Sequence, residues 1–326
     1  MRQARLARLG GALRILKQFL QSIGVTRHAA PRRRRKTSAR YHPPHGYRSG
    51  FDRAHGMWPR RGSGAKPAAP MPYPVLLFGL FRTIVRFTRH APTGQVKEPT
   101  WRPAMNQLRG RAQALLGEIE FGFFLDALYD ASLALAKARG AEQRETPIAE
   151  RYRRALARLG VEGADADATA ARLATLQLEA LLANVELPTA HAALLRELAA
   201  TRRLAVISNF DDGPTVHALL ERLGLTPLLA ATVVSVEVGR RKPHAEIFAA
   251  ALRQLDAAPR DALMIGDSLT DDVAGAAAAG IDTVWVNWDG IALPAGGVRP
   301  TYEVRELVHL RALPPFGDIP PFEKGG

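Results

Sequence analysis

The stretch ALMIGDSLTDDVAGAAAAGIDTVWVN, residues 262–287, predicts a strand, a helix and a second strand in succession. Its two β-rich runs, 262–266 and 282–287, flank a helical segment at 271–280. Earlier segments continue the alternation, with strands predicted at 75–78, 204–208 and 232–238 and helices at 215–224 and 245–255. Alternating short strands and helices are typical of a parallel sheet. We therefore expect an α/β fold with a doubly wound parallel sheet.

A long helical insertion is predicted between the first two strands. Leu and Ala recur there at steps of three and four, which indicates amphipathic helices. The segments with this spacing are 105–120, 149–160, 168–183 and 191–200. Gly160 and Gly224 each follow an Arg-Leu pair and are expected to end helices.

The positive charge of the chain is concentrated before Val75. Of 326 residues with a net charge of +14, residues 1–74 contain 17 Lys and Arg against one acid, Asp52, which amounts to +16. The remaining residues, with 28 basic and 30 acidic side chains, carry −2. No aromatic platform accompanies the basic run PRRRRK at 31–36, so a nucleic-acid partner is not expected.

Residues 1–70 form a basic leader, for which the sequence allows three interpretations. Six apolar residues at helical spacing predict an amphipathic helix that contacts a membrane or acts as a transit-like segment: Leu6, Leu9, Leu13, Leu16, Leu20 and Ile23. The following residues, 26–74, are rich in Arg, His, Gly and Pro, which indicates disorder. A third interpretation takes Met71 as the natural start.

The chain has no cysteine and no long apolar run, so we expect a soluble, cytoplasmic protein without disulfides, thiolate metal sites or cysteine nucleophiles.

Polar side chains follow the predicted strands where ligands bind in open parallel sheets. Ser208 and Asn209 follow the second strand, Lys242 precedes a helix that begins after Pro243, and three acids follow the fourth strand: Asp267, Asp271 and Asp272. A hydroxyl, an amide, an ammonium and carboxylates at one edge can hold a phosphate beside a hard cation. Taken singly, they also fit a helix N-cap, a solvated lysine and acids that complement a helix dipole.

Three stretches resemble motifs two, three and four of the haloacid dehalogenase-like hydrolase superfamily, in the subfamily with a helical cap between motifs one and two. They are LAVISNFDDG at 204–213, VVSVEVGRRKPHAEIFAAAL at 233–252, and residues 262–287. The resemblance implies a Rossmann-like core with an inserted α-helical cap. It divides the chain into a core at 71–91 and 200–313, a cap at 92–199 and a tail at 314–326.

The resemblance also implies roles for single residues. Ser208 would bind the phosphate, Asn209 would support the loop, and Lys242 would steady the transferred group; Thr83 is also expected at the substrate. Asp267 would hold Mg²⁺ with Asp272 just behind it, whereas Asp271 is a weaker candidate.

Motif one departs from the family pattern. The segment FGLFRTI at 78–84 places Gly79 at the position of the nucleophilic Asp and Phe81 at the acid/base position. Glycine has no side chain to form the covalent intermediate. Arg82 stands where relatives have glycine; it either points to solvent or helps to bind an anion, with backbone strain if its φ is positive.

The resulting expectation is a Mg²⁺-dependent phosphatase that acts on a small phosphorylated metabolite and has lost its nucleophile at position 79. The partner would be a small phosphoester or a similar anion. The alternative is a catalytically inactive binding or regulatory protein on the same fold. The sequence does not predict the oligomeric state.

Overall fold

A six-stranded parallel sheet organises the structure. The computed structural model describes residues 73–88 and 106–317, which belong to the compact unit Ala69–Gly326. The interpretations of the leader at 1–70 lie outside these residues. No helix in the described ranges is both long and apolar enough to cross a membrane.

The strands confirm the predicted doubly wound fold. In chain order, those of the described residues are β1 Val75–Phe78, β2 Arg86–Phe87, β3 Val185–Glu186, β4 Arg203–Ser208, β5 Leu229–Val234, β6 Ala262–Gly266, β7 Asp282–Val286 and β8 Tyr302–Val304. The main sheet has the order β5-β4-β1-β6-β7-β8 with every pair parallel. Since the order reverses direction at β1, a crevice opens between the carboxyl ends of β1 and β6.

Helices fill both the long insertion and the crossovers. The α-helices of the described residues are α1 Arg109–Leu116, α2 Phe121–Ala138, α3 Ile148–Arg158, α4 Ala164–Leu182, α5 Thr189–Ala199, α6 Gly213–Arg222, α7 Ser235–Val238, α8 Ala245–Gln254 and α9 Gly275–Ala278. A π-helical segment, Leu269–Ala274, precedes α9. Gly160 and Gly224 have φ of +79° and +66° and end α3 and α6, as predicted.

The insertion has a core of its own. Helices α1 to α4 bury a cluster that includes Phe124, Tyr152 and Leu173. By contrast, α5 packs on the sheet through Leu194 and Leu198. The antiparallel pair β2–β3 brings the two ends of the insertion together. The helical layer with a separate core therefore ends at α4, and its role as a cap stays a prediction.

The two faces of the sheet are buried in different clusters. Along β1, Leu76 and Phe78 face one cluster, while Val75 and Leu77 face the other, because successive side chains of a strand point to opposite faces. Within the predicted tail, Phe316 is only 1% exposed and joins the cluster of Leu76. The described part of the tail thus packs on the sheet.

One predicted strand is partly wrong. The β-rich run at 232–238 becomes strand only as far as Val234, and α7 follows. The neighbouring β4 ends at Ser208, which pairs with Val234, so later residues have no strand to pair with. The chain turns there, and the Ser235 hydroxyl accepts a hydrogen bond from the Phe210 backbone N–H at 2.9 Å.

Candidate functional site

The side chains predicted from the strand ends converge on one cavity of about 110 Å³. It lies at the carboxyl ends of β1, β4 and β6, and its lining comprises Gly79, Leu80, Phe81, Ser208, Asn209, Lys242, Asp267, Ser268, Asp271 and Asp272. The sheet topology produces this convergence, because parallel strands all end at the same edge.

Lys242 and Asp272 form a buried ion pair. The Lys242 ammonium donates to Asp272 Oδ1 and to the carbonyl oxygen of Ile207, both at 2.7 Å. The two residues are 5% and 3% exposed. The second oxygen of Asp272 accepts from the backbone N–H of Ser268 at 3.0 Å. Both carboxylate oxygens of Asp272 are therefore engaged.

Close packing at Gly266 helps to hold Asp272. A Cβ atom at position 266, the end of β6, would collide with the Asp272 carboxylate. Only glycine lets this carboxylate lie directly over the strand end. The predicted position of Asp272 behind the site thus depends on Gly266.

Asn209 supports the loop that carries Lys242. Its side-chain oxygen accepts from the Lys242 backbone N–H at 2.7 Å, and its amide donates to the Lys242 carbonyl at 3.0 Å. The same amide donates to Asp271 Oδ2 at 3.2 Å. Ser208, 2% exposed, lines the cavity beside Asn209. This geometry suits the expected roles of Ser208 and Asn209, which stay predictions.

Gly79 lies at the tip of β1, with its N–H donating to the Ile265 carbonyl at 2.9 Å. A Cβ atom at position 79 would lie 2.9 Å from the Thr83 hydroxyl and 3.7 Å from Asp272 Oδ2. Thr83 is fully buried, and its hydroxyl has no hydrogen-bond partner among residues 73–88 and 106–317. Since Thr83 is not among the residues that line the cavity, its expected contact with a substrate stays a prediction.

Arg82 adopts the left-handed conformation, with φ of +61°. This conformation costs a non-glycine residue about 1–2 kcal/mol. The guanidinium donates from Nε to Asp267 Oδ2 and from Nη2 to Asp289 Oδ2, each at 2.9 Å. The Trp288 indole N–H donates to the Arg82 carbonyl. Arg82 therefore does not simply point to solvent, although its side chain is 42% exposed.

The electrostatics of Asp267 reflect these neighbours. The pKa of Asp267 is raised to about 6, mainly by burial and also by the nearby Asp272 carboxylate. Arg82 and Lys242 oppose the shift by favouring the charged form. For Arg82 itself, burial lowers the pKa, but the Asp267 and Asp289 carboxylates raise it above its ordinary value overall.

Phe81 presents an aromatic ring at the predicted acid/base position. The ring stacks on Phe210 and Phe87, with centroid distances of 5.0 and 5.7 Å. It can shape an apolar part of the cavity wall but cannot donate a proton to a leaving group.

Other acids that could in principle substitute for the missing nucleophile lie outside the cavity lining. Asp211 pairs with Arg151, and Asp130 lies 3.8 Å from Arg158. Asp126 is exposed on α2. Burial raises the pKa of Asp211, although Arg151 opposes the shift. None of these carboxylates takes the place of a side chain at position 79.

Three residues that hydrogen-bond to residues of the site were not predicted from the sequence: Asp289, Trp288 and Ser268. Asp289 and Trp288 follow β7, another strand whose carboxyl end lies at the same edge. Extending the strand-end rule to β7 identifies this region. Ser268 lies between two acids that the rule had already identified.

The residues present do not fit the expected Mg²⁺ site. Asp267 is paired with Arg82, Asp272 with Lys242, and Asp271 accepts from Asn209. Position 79 offers no carboxylate. Within residues 73–88 and 106–317, no group of three His, Asp or Glu side chains is arranged to hold a metal ion. Mg²⁺ prefers several free oxygen ligands in an octahedral arrangement, which this set does not supply.

Known proteins are similar to this chain in sequence and in fold. Residues 164–280 match the family model described as haloacid dehalogenase-like hydrolase. The chain is 45% identical over 67 residues to ribulose-1,5-bisphosphate 5-phosphatase of Halopiger xanaduensis, covering 21% of this chain and 28% of that protein. It is 34% identical over 121 residues to the pyrimidine 5'-nucleotidase YjjG of Escherichia coli, covering 37% and 53%. The matched segments thus span only about a quarter to a half of these relatives.

A solved structure extends the likeness across the fold. The 2-haloacid dehalogenase from Pseudomonas syringae superposes with a TM-score of 0.56 at 25% identity, covering 73% of this chain and 96% of that one. Members of the superfamily generally use Mg²⁺. The family model, the curated relatives and the solved structure all lie in the haloacid dehalogenase-like hydrolase superfamily, which confirms the resemblance that the three motifs indicate.

Proposed function

We propose that the cavity recognises the phosphoryl group of a small phosphorylated metabolite, as the substrate site of a phosphomonoester hydrolase. The observation that carries the proposal is the buried Lys242 ammonium beside Ser208 at the carboxyl end of β4. A buried cation and a hydroxyl at one end of a cavity match the charge and the acceptors of a phosphate. The phosphatase and nucleotidase named above, whose sequences resemble this chain, support this substrate class.

The side chains of the site have separable tasks in this proposal. An ammonium has three N–H donors, and two of those on Lys242 bond to Asp272 and Ile207, which leaves one for a phosphoryl oxygen. The Ser208 hydroxyl donates to a second oxygen. Asn209 holds the Lys242 backbone, so the ammonium is positioned before a ligand arrives.

Position 79 limits what the native chain can do with a bound phosphoester. Covalent phosphoryl transfer needs a nucleophile at the tip of β1, and Gly79 has none. Phe81 supplies no proton to the leaving oxygen. We therefore expect the native chain to bind a phosphomonoester much better than it hydrolyses it.

A second candidate function is binding or regulation without turnover. The observation that favours it is the pairing of Arg82 with Asp267, the expected metal ligand, at 2.9 Å. In this case the site would hold the phosphorylated ligand, and the ligand would be released unchanged.

An aryl phosphate assay and a phosphate titration together test both candidates. The proteins are the native chain, Ser208→Ala, and the double variant Gly79→Asp, Arg82→Gly. Native turnover well above that of Ser208→Ala supports a phosphatase. An inert native chain that binds phosphate, with turnover only in the double variant, supports the second candidate. If the native chain neither binds phosphate nor hydrolyses a broad panel of phosphoesters, the proposed function is wrong.

A further inference from the structure

We infer that the Arg82 guanidinium is the resident cation of this site, so that the site binds phosphate-type anions without a divalent metal. The inference rests on the proposed phosphate recognition. It adds that a cation of the chain itself neutralises the carboxylates of the site. It replaces the Mg²⁺ requirement implied by the superfamily, which the residues present do not fit.

Arg82 joins the ends of two strands. Its Nε contacts Asp267 after β6, and its Nη2 contacts Asp289 after β7. The planar guanidinium presents its N–H donors in a fixed fork, so one side chain can serve two carboxylates at once. Arg82 therefore pairs, through Oδ2, with the carboxylate that the resemblance identified as a metal ligand.

The remaining carboxylates at the cavity also have partners. Asp272 uses one oxygen for Lys242 and the other for the Ser268 N–H. Asp271 accepts from the Asn209 amide. A metal ion entering the native site would therefore meet carboxylates that already have a cationic or an N–H partner.

Charge arithmetic supports the same inference. The changes Gly79→Asp and Arg82→Gly add one negative charge and remove one positive charge, a total of two units. One divalent cation would restore this difference. With no carboxylate at position 79 and a cation at position 82, the native site needs two fewer positive charges than the changed site. The changed site would obtain those two charges from Mg²⁺.

The backbone around Arg82 holds the guanidinium in place. Leu80, Thr83 and Ile84 are buried, and the Trp288 indole donates to the Arg82 carbonyl. The left-handed φ of Arg82 is retained although glycine would adopt it more readily. A strained residue in packed surroundings is a common feature of functional sites.

Calorimetric titration of the full chain with inorganic phosphate, in EDTA and in Mg²⁺, tests the inference. We expect the native Kd to agree within about twofold between the two conditions, and Arg82→Gln to weaken binding in EDTA by about tenfold or more. Arg260→Gln is the matched control, because Arg260 is 87% exposed and precedes β6, at the opposite edge of the sheet. Its affinity should equal that of the native chain.

Titration with Mn²⁺, followed by electron paramagnetic resonance, reads metal binding directly. The native chain should bind Mn²⁺ no better than Asp267→Asn, whereas Gly79→Asp, Arg82→Gly should bind it more tightly. If Arg82→Gln does not fold, Arg82→Lys retains the charge but loses the fork, and it should still weaken phosphate binding in EDTA.

The outcomes separate the inference from the proposed function. Phosphate binding by the native chain only in the presence of Mg²⁺ would overturn the inference and leave phosphate recognition intact. Equal affinities of the native chain and the folded Arg82 variants in EDTA would also overturn it. An absence of phosphate binding under both conditions would overturn phosphate recognition itself.

Discussion

The buried pair of Lys242 and Asp272 yields a quantitative prediction for Lys242→Met. Methionine fills nearly the same space as the lysine stem, so the substitution removes the charge and creates little cavity. Asp272 is only 3% exposed, and its carboxylate would keep the hydrogen bond from the Ser268 N–H but lose the one from Lys242. The substitution also removes the donor to the Ile207 carbonyl.

The expected loss follows from the uncompensated charge. Removing one partner of a buried ion pair lowers the free energy of unfolding by about 3–5 kcal/mol. In a domain of this size, 1 kcal/mol shifts Tm by about 2–4 °C, so Tm should fall by roughly 6–20 °C. Asp272→Asn added to Lys242→Met should recover part of the loss, with a coupling of about 1–3 kcal/mol.

Urea denaturation of the native chain, both single variants and the double variant measures these quantities. Lys137→Met is the control, because Lys137 is exposed in the last turn of α2 and should change the free energy of unfolding by less than about 1 kcal/mol. A loss below about 1 kcal/mol in Lys242→Met, or strict additivity in the double variant, would refute the reasoning, because the pair would then not be desolvated and coupled.

Three further predictions concern other parts of the molecule. Gly79→Asp with Arg82→Gly should gain a Mg²⁺-dependent rise in Tm, because the new carboxylate lies near Asp272 and needs a cation; equal melting with Mg²⁺ and EDTA would contradict this. Burial lowers the pKa of His191, so the unfolded chain binds its proton more readily. The stability that neutral His191 contributes is full above about pH 6.5 and is lost as the pH falls. In urea denaturation, His191→Asn should therefore lose less free energy of unfolding than the native chain between about pH 7 and pH 5. An equal loss in both proteins would exclude this. Phe316→Ala should lose about 3–5 kcal/mol by the same assay, and a change near zero would show that the described tail is not part of the core.

Strand positions were predictable where burial and pairing agree. The run 262–266 forms β6 over the same residues, since a fully buried strand reads as a continuous apolar run. The run 232–238 was extended too far, because the β-branched residues Val236 and Val238 favour strand locally. Where that strand ends depends on the length of its neighbour β4, which a local pattern does not contain.

Most of the cavity lining was also predictable. Ser208, Asn209, Lys242 and Asp267 follow successive strands, and the parallel topology brings them to one edge. Their bonding was not predictable, because a local pattern says nothing of distance in space. Arg82 and Asp289, for example, are separated by 207 positions and meet only when β1 and β7 lie in the same sheet.

By itself, the sequence determined the parallel α/β fold, the group of residues at the strand ends and the lack of a nucleophile at position 79. These properties follow from residue identity and from the period of apolar residues, both of which are local. The tertiary structure alone decided that Lys242 neutralises Asp272 and that Arg82 neutralises Asp267 and Asp289. Which charged side chains pair depends on their burial and on N–O distances of about 3 Å, and both are set only when the chain is packed.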